Sequence, residues 1–419
     1  MSFLSAEIRQ SVGDILGSEI REINLTAKGI STTFDIRLAD SRQAVLRVPS
    51  FGGCAPIVEA EVATVDYLAH HSSIPVSAVL AHSRGTGGEQ GAPCYVVFQK
   101  PLGVCAENIF SSMAPFEQKL IIGAIAKWMG ELLCFADEGD YKIGPVVMKP
   151  FYSEGRSKLT LDRGPFDSAK AYYKACALRE LDSARVLFAQ DAPASYQHDL
   201  EESRLTVERI TGLLCDLTNR CQGLDEDDPD MAPLSLDIHD IGLRNVYLSP
   251  ENHTEIVSVV DWRFVNTRPL WCCARLPSWT STSMTSIDGD NTRFAWLCKA
   301  EAARIAGIDS PFLRALGLED TRSTLDDLST YDAFRDGFLL LPALENILAT
   351  LPGHEDVAGL IALLDPSTLP GRVARINLLT RGSNPMYLAM TPPRSPHLTP
   401  VKDESTEQVI VAGSSVLVL

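Results

Sequence analysis

Basic residues are scarce in this chain of 419 residues: 37 lysines and arginines stand against 54 aspartates and glutamates, a formal charge of −17. That deficit argues against a nucleic-acid partner, because a phosphate backbone is neutralised by clustered Lys and Arg. Long apolar runs are missing too. With no window of roughly 18 apolar residues, no membrane-spanning helix and no membrane partner are expected. Metal-thiolate and zinc-protease patterns are also absent. The ten cysteines are scattered, adjacent Cys272 and Cys273 have no Cys-x-x-Cys partner, and the eight histidines show no His-Glu-x-x-His spacing. Met1 to Gly17 reads as a Ser-capped amphipathic helix carrying Ile8, Val12, Ile15 and Leu16, not as a leader. Free thiols and a cytoplasmic location are therefore the expectation.

What is present suits a two-lobed globular enzyme. The apolar share is 45%, ample for a core, and the length exceeds what one hydrophobic core usually supports. The informative stretch runs from Asp237 to Trp262. Asp240 precedes Asn245 by five positions in a short turn. Two strand-like runs follow, Val246 to Leu248 and Ile256 to Val260, joined by the turn residues Ser249, Pro250, Glu251 and Asn252. Pairing of those strands returns the chain to the loop at Asp261. Phosphoryl transfer needs one carboxylate to take the proton of the attacking hydroxyl and oxygen ligands to hold Mg²⁺ against the phosphates. Asp240 suits the first task, and Asn245 and Asp261 suit the second, since Mg²⁺ prefers carboxylate and amide oxygens. Asp and Asn are common turn residues, so the Asp-x-x-x-x-Asn pair alone is a weak signal. Its conjunction with the hairpin and the terminal Asp261-Trp262 gives it weight.

These residues resemble the aminoglycoside phosphotransferase group of protein-kinase-like small-molecule kinases, particularly its fungal branch. The signature there is His-x-Asp-x-x-x-x-Asn, a strand, and Asp-Trp or Asp-x-Glu; Asp240, Asn245, Asp261 and Trp262 match it. Ile238 stands in place of the His, with His239 one position later, and Arg263 stands where an acid often follows. The resemblance implies a two-lobed α+β fold with a small antiparallel-sheet N-lobe and a larger, mainly helical C-lobe. It implies an ATP- and Mg²⁺-dependent transfer to a hydroxyl of a small-molecule acceptor. Two other classes stay open: a pseudokinase or nucleotide-binding scaffold, and a protein kinase, against which the lack of Asp-Phe-Gly and Ala-Pro-Glu elements speaks.

Upstream, the resemblance assigns the remaining nucleotide-binding residues. Ala44 to Pro49 reads as a strand whose basic residue, Arg47, stands where kinases place a phosphate-holding Lys; an Arg on the strand's outer face is the plain alternative. The helical run Val58 to Leu68, with Val58, Val62, Val65 and Leu68 on one face, carries Glu61 as the partner of that base and Glu59 as the fallback. Ser31 and Thr32 lie in the run Lys28 to Phe34, the polar segment in the place of the phosphate-covering loop, with a single glycine. Cys94 to Pro101 reads as a buried strand entering a hinge, where Gln99, Lys100 and Leu102 would offer backbone groups to adenine. The expected organisation is an N-lobe over 1–98, a hinge at 99–103, a C-lobe over 104–383 and a disordered tail over 384–419, Ser/Thr-Pro-rich from Thr391 to Pro400 and apolar and β-prone from Val409 to Leu419, where a strand, a contact site or no structure all stay open. Within the C-lobe, Phe116 to Asp137 reads as a central helix with Leu120, Ala124, Trp128 and Leu132 on its buried stripe, and His198 to Arg220 as a second. The acidic run Asp225 to Asp230 reads as a solvated loop. The acceptor's identity and the oligomeric state are not written in this sequence.

Overall fold

The structure, a computed structural model, describes residues 4–50, 54–85, 93–132, 142–152, 155–187, 197–225, 230, 232–238, 241–277, 290–307, 309–316, 321–329, 344, 398–402, 408–412 and 415–417. Its class is α+β, with a five-stranded antiparallel sheet near the start of the chain and mostly helices later. The chain divides into two compact units: Met1–Ala169 with Gly223–Leu318, and Lys170–Gln222 with Glu319–Leu419. The first unit draws on two separate stretches of sequence. It holds the sheet and the Asn245–Asp261 hairpin together.

In that unit, α1 (Ala6–Leu16) starts where the Ser5 hydroxyl accepts from the Ile8 N–H at 3.3 Å, and it ends at Gly17 in the left-handed region. Strands β1 (Ile20–Lys28), β2 (Ser31–Leu38), β3 (Gln43–Pro49), β4 (Val79–Arg84) and β5 (Cys94–Gln99) form the sheet in the order β1-β2-β3-β5-β4. Side chains alternate across a strand, and each strand here sorts its residues accordingly. Phe34, Ile36 and Leu38 of β2, Ala44 and Leu46 of β3, and Tyr95 and Val97 of β5 join Ile8 and Val12 of α1 in one core. Burying each large side chain of that set contributes about 2 kcal/mol. The intervening residues Thr33, Asp35, Val45, Arg47 and Phe98 face a cleft on the opposite side. Helix α2 (Ala55–His71) buries Ile57, Val58, Glu61, Thr64, Val65 and Leu68. Its apolar face thus carries one carboxylate.

Short elements position the rest. After the hinge, β6 (Val104–Cys105) leads into α3 (Ala106–Ile109) and α4 (Pro115–Leu132). Helix α4 buries Ile121, Ile122, Ile125, Trp128, Met129 and Leu132, whereas Leu120 is 53% exposed. The expected stripe was thus rotated: Trp128 and Leu132 belong to both candidate stripes, and the one bearing three isoleucines buries more apolar surface. Strand β7 (Leu234–Leu236) precedes the motif, and β8 (Val246–Leu248) and β9 (Ile256–Val259) form its hairpin, with β6 added on the β8 side. Strand β10 (Thr267–Pro269) returns to pair with β7. A buried Arg268–Asp237 ion pair at 2.7 Å fastens that return.

The second unit contains helices Gln197–Arg220 and Thr321–Ser329 and nearly all of Ala169–Leu187. Ile210, Leu214 and Leu217 are buried on the second of the expected C-lobe helices. Arg179 and Glu180, both buried, pair at 2.6 Å, and Tyr173 donates to Asp326 at 2.8 Å. Within the segment expected to be a disordered tail, Leu398–Lys402, Gln408–Ala412 and Ser415–Leu417 pair as three antiparallel strands. No helix among the described residues is long and apolar enough to cross a membrane.

Candidate active site

Four parts of the first unit converge on the cleft face of the sheet. Arg47 arrives on β3, 7% exposed, turned into the cleft and away from the outer surface. Its guanidinium forms an ion pair with Glu61, which is 2% exposed, and another with Asp261 at 3.0 Å. It also stacks over the Phe98 ring, 5.0 Å from the centroid. Burial pushes the Glu61 carboxyl above its usual range, while the charge and hydrogen bond of Arg47 pull it back. Glu59 instead sits at the surface and pairs with Arg84 at 2.9 Å. The helix period explains the difference, because Glu61 follows Ile57 and Val58 by one turn on the buried face and Glu59 does not.

The hairpin supplies Asn245 and Asp261. Register pairs Val246 with Val259 and Tyr247 with Ser258, and the ladder continues past the strands: Val260 N–H donates to the Asn245 carbonyl at 2.9 Å. The Asn245 side-chain NH₂ then donates to the Val260 carbonyl at 3.2 Å, which fixes the orientation of the amide. Its Oδ1 is left buried without a hydrogen-bond partner among the described residues. Gly242 allows this close packing, since a Cβ there would stand 3.2 Å from Oδ1. A bridge between Val76 and Val259 and a 2.7 Å contact between the Ser77 and Ser258 hydroxyls brace the hairpin from the Ile74-Pro75-Val76 segment. Trp262, 3% exposed, donates to the Val259 carbonyl at 3.1 Å and locks the turn after the strand. Asp240 and His239 lie outside the described residues, as does Trp279.

Asp261 has a positive φ of 70°, a conformation that Asp tolerates better than most residues. Arg263 grips it with both arms, Nε to Oδ1 at 2.5 Å and Nη2 to Oδ2 at 2.7 Å, and donates through Nη1 to the Ser31 hydroxyl at 2.6 Å. Burial pushes the Asp261 carboxyl up, yet the hydrogen bonds and charge of Arg263, with Arg47 and Arg244 adding theirs, hold it below the usual carboxylate range.

The turn between β1 and β2 is shorter than its sequence implies. Gly29 and Ile30 make the turn, while Ser31 and Thr32 already belong to β2, opposite Lys28 of β1 and Pro49 and Val48 of β3. The β-branched pair of threonines extends the strand into what reads as a polar tip. Ser31 is buried by its contact with Arg263. At the hinge, Gln99, Lys100, Pro101 and Gly103 line the cleft, whereas Leu102 points out, 75% exposed. Gln99 N–H is already used by the Ala78 carbonyl at 2.8 Å. Lys100 pairs with Asp35 of β2 at 2.6 Å. Gly103, with φ of 124°, has no room for a side chain, because a Cβ would fall 2.3 Å from the Leu248 carbonyl oxygen.

The cleft so formed has a volume of about 460 Å³, within the usual range for a small-molecule site. Asp35, Phe98 and Arg244 line the cleft without belonging to any of the expected site residues. Strand alternation from Arg47 and Thr33 was the signal for Asp35 and Phe98. Arg263 was visible as a departure from the signature but not as a member of the site.

For a divalent ion, the donor types fit: Asn245 Oδ1 is an unengaged hard oxygen and Asp261 supplies a carboxylate. Among the described residues, no three His, Cys, Asp or Glu side chains gather as a cage. Both Asp261 oxygens are already held by arginines.

No family model matches the chain. Two curated proteins from strains of Aspergillus fumigatus, both named as subtelomeric hrmA-associated cluster proteins, are 24% identical over 304 residues, which is 61% of this chain and 59% of each relative. The match thus spans less than two thirds of those relatives' length. Among solved structures, the chain is similar to the gentamicin complex of APH(2″)-IIa, at 14% identity and TM-score 0.45, covering 84% of this chain and 97% of that one. A putative fructosamine-3-kinase from Thermobifida fusca gives 13% identity and TM-score 0.44, covering 83% and 100%. Amicoumacin kinase hAmiN, in complex with AMP-PNP, Ca²⁺ and Ami, gives 12% and 0.43, covering 89% and 92%. These are distant likenesses to aminoglycoside phosphotransferases and other small-molecule kinases.

Proposed function

We propose that this chain is a protein-kinase-like phosphotransferase that moves the terminal phosphoryl group of ATP to a hydroxyl of a small molecule. One observation carries the reading. A strand arginine, held from behind by a buried helix glutamate, meets the Asp261 carboxylate in a cleft that Asn245 also lines, and the Asn245 amide oxygen has no hydrogen-bond partner among the described residues. Structural packing alone seldom leaves such an oxygen buried and unsatisfied.

In this reading Glu61 holds Arg47 so that its guanidinium can clamp phosphate oxygens, a task suited to its planar fork. Gln99 to Leu102 receive the adenine; with the Gln99 N–H engaged and Pro101 lacking one, Lys100 and Leu102 are the backbone donors. Asn245 and Asp261 are the side chains that would hold Mg²⁺, which when bound offsets charge on the transferred phosphoryl oxygens. Asp240 orients the acceptor hydroxyl and accepts its proton. Purified protein with labelled ATP and a panel of hydroxylated metabolites tests this. Replacing Asp240 by Asn is expected to lower turnover by about 10²-fold or more, and turnover equal to wild type would reject the assignment.

A second reading has its own observation: the double hold of Arg47 and Arg263 on Asp261 suits a nucleotide-binding scaffold without transfer activity. It predicts a thermal shift with ATP and no phosphate release or transfer.

A further inference from the structure

Among the described residues, Arg263 engages atoms that a plain surface arginine would leave alone, including both oxygens of Asp261 and the Ser31 hydroxyl at the start of β2. Among the described residues, the cations lining the cleft are Arg47, Lys100, Arg244 and Arg263, and the carboxylates are Asp35 and Asp261. With Glu61 paired behind Arg47, these four cations meet three carboxylates among the described residues, a small surplus that favours a polyphosphate although the chain as a whole carries −17. The same surplus repels a free divalent ion. Arg47 and Arg263 already share the Asp261 oxygens, so an ion that takes both of them must displace the bidentate guanidinium, and one that takes the remaining lone pair of Oδ2 adds a third cation at low local dielectric. Once displaced, the guanidinium stays tethered two residues away, in the cleft, where phosphate oxygens would lie.

We propose that Arg263 is a built-in counter-charge that competes with the divalent ion for Asp261, so that the chain binds a nucleotide's phosphate tail without needing the ion. The inference rests on the reading of the cleft as a nucleotide site. Asn245 Oδ1 remains the oxygen that a bound ion gains at no cost, since nothing among the described residues competes for it. Metal and nucleotide are therefore weakly coupled in wild type and become strongly coupled when the guanidinium is removed.

Calorimetric binding of ADP and ATP, measured in EDTA and in excess Mg²⁺ for wild type, Arg263→Ala and Arg263→Lys, reads that coupling directly. Wild type is expected to bind equally in the two conditions to within about three-fold, and Arg263→Ala to bind about ten-fold more weakly in EDTA with recovery in Mg²⁺. Arg263→Lys keeps one charge and loses the fork, so it falls between them; it carries the test if the alanine variant fails to give a native circular dichroism spectrum. A wild-type dependence on Mg²⁺ of about ten-fold or more, or an alanine variant with the same ratio as wild type, overturns the proposal. Absence of nucleotide binding to wild type in both conditions overturns the nucleotide reading and this inference with it. Strong but metal-dependent binding by wild type overturns this inference alone.

Discussion

Two of the arginine–carboxylate pairs at the cleft, Arg47–Glu61 and Arg263–Asp261, share a chemistry and differ in setting. Arg47 and Glu61 lie between a sheet and a helix, 7% and 2% exposed, each on an element fixed by its own apolar neighbours. Arg263 and Asp261 lie on the turn after β9, with side chains 21% and 28% exposed. The first pair cannot separate without stranding a charge in a dry place, whereas the second can exchange partners with solvent or ligand. Similar contacts thus serve as a fixture in one position and as a movable clasp in the other.

Breaking the fixture should have the largest effect. Glu61→Ala takes the buried carboxylate from Arg47 and leaves it the more exposed Asp261, and is expected to destabilise the first unit by about 3 kcal/mol, measured by denaturant unfolding. The comparison is sharpened by pH. Asp261 has a depressed folded pKa, so its stabilisation is full above its ordinary value of 3.8 and is lost as pH falls through the lower folded value. The melting-temperature gap between wild type and Asp261→Asn should therefore be constant near neutral pH and close below about pH 3.8. Glu61, raised by burial, is biased the opposite way: its contribution is present at low pH and declines as pH rises through the folded value. A gap for Asp261→Asn that widens in acid would contradict this assignment. The smallest effect belongs to Lys100→Ala, which loses a half-exposed pair with Asp35 and should cost about 0.5 kcal/mol.

Much of this arrangement was legible from pattern. The apolar alternation of Ala44 to Pro49 and Cys94 to Gln99 announces strands, and the Ser249 to Asn252 turn between two β-prone runs announces the hairpin that brings Asn245 and Asp261 together. Glu61 was distinguishable from Glu59 by helical phase. What pattern missed depends on tertiary competition. Thr32 and Thr33 read as a loop because they are polar, but pairing with Val48 and Arg47 keeps them in the sheet. The face of α4 was misread because two stripes share Trp128 and Leu132. Arg263 could not be assigned before its reach to Ser31, 232 positions away in sequence, was known. Asp240, the residue with the heaviest chemical duty in the proposed reaction, lies outside the described residues and rests on motif alone.

Gly103 ties the hinge to the far wall of the cleft. Its backbone lies against the Leu248 carbonyl with no space for even a methyl group, and the next residue, Val104, pairs with Leu248 itself. Leu248 ends the strand that Asn245 leads into. The peptide that would meet a purine and the amide that would meet a metal thus share one short strand as their common support, so a side chain introduced at position 103 would press on the backbone that carries Asn245.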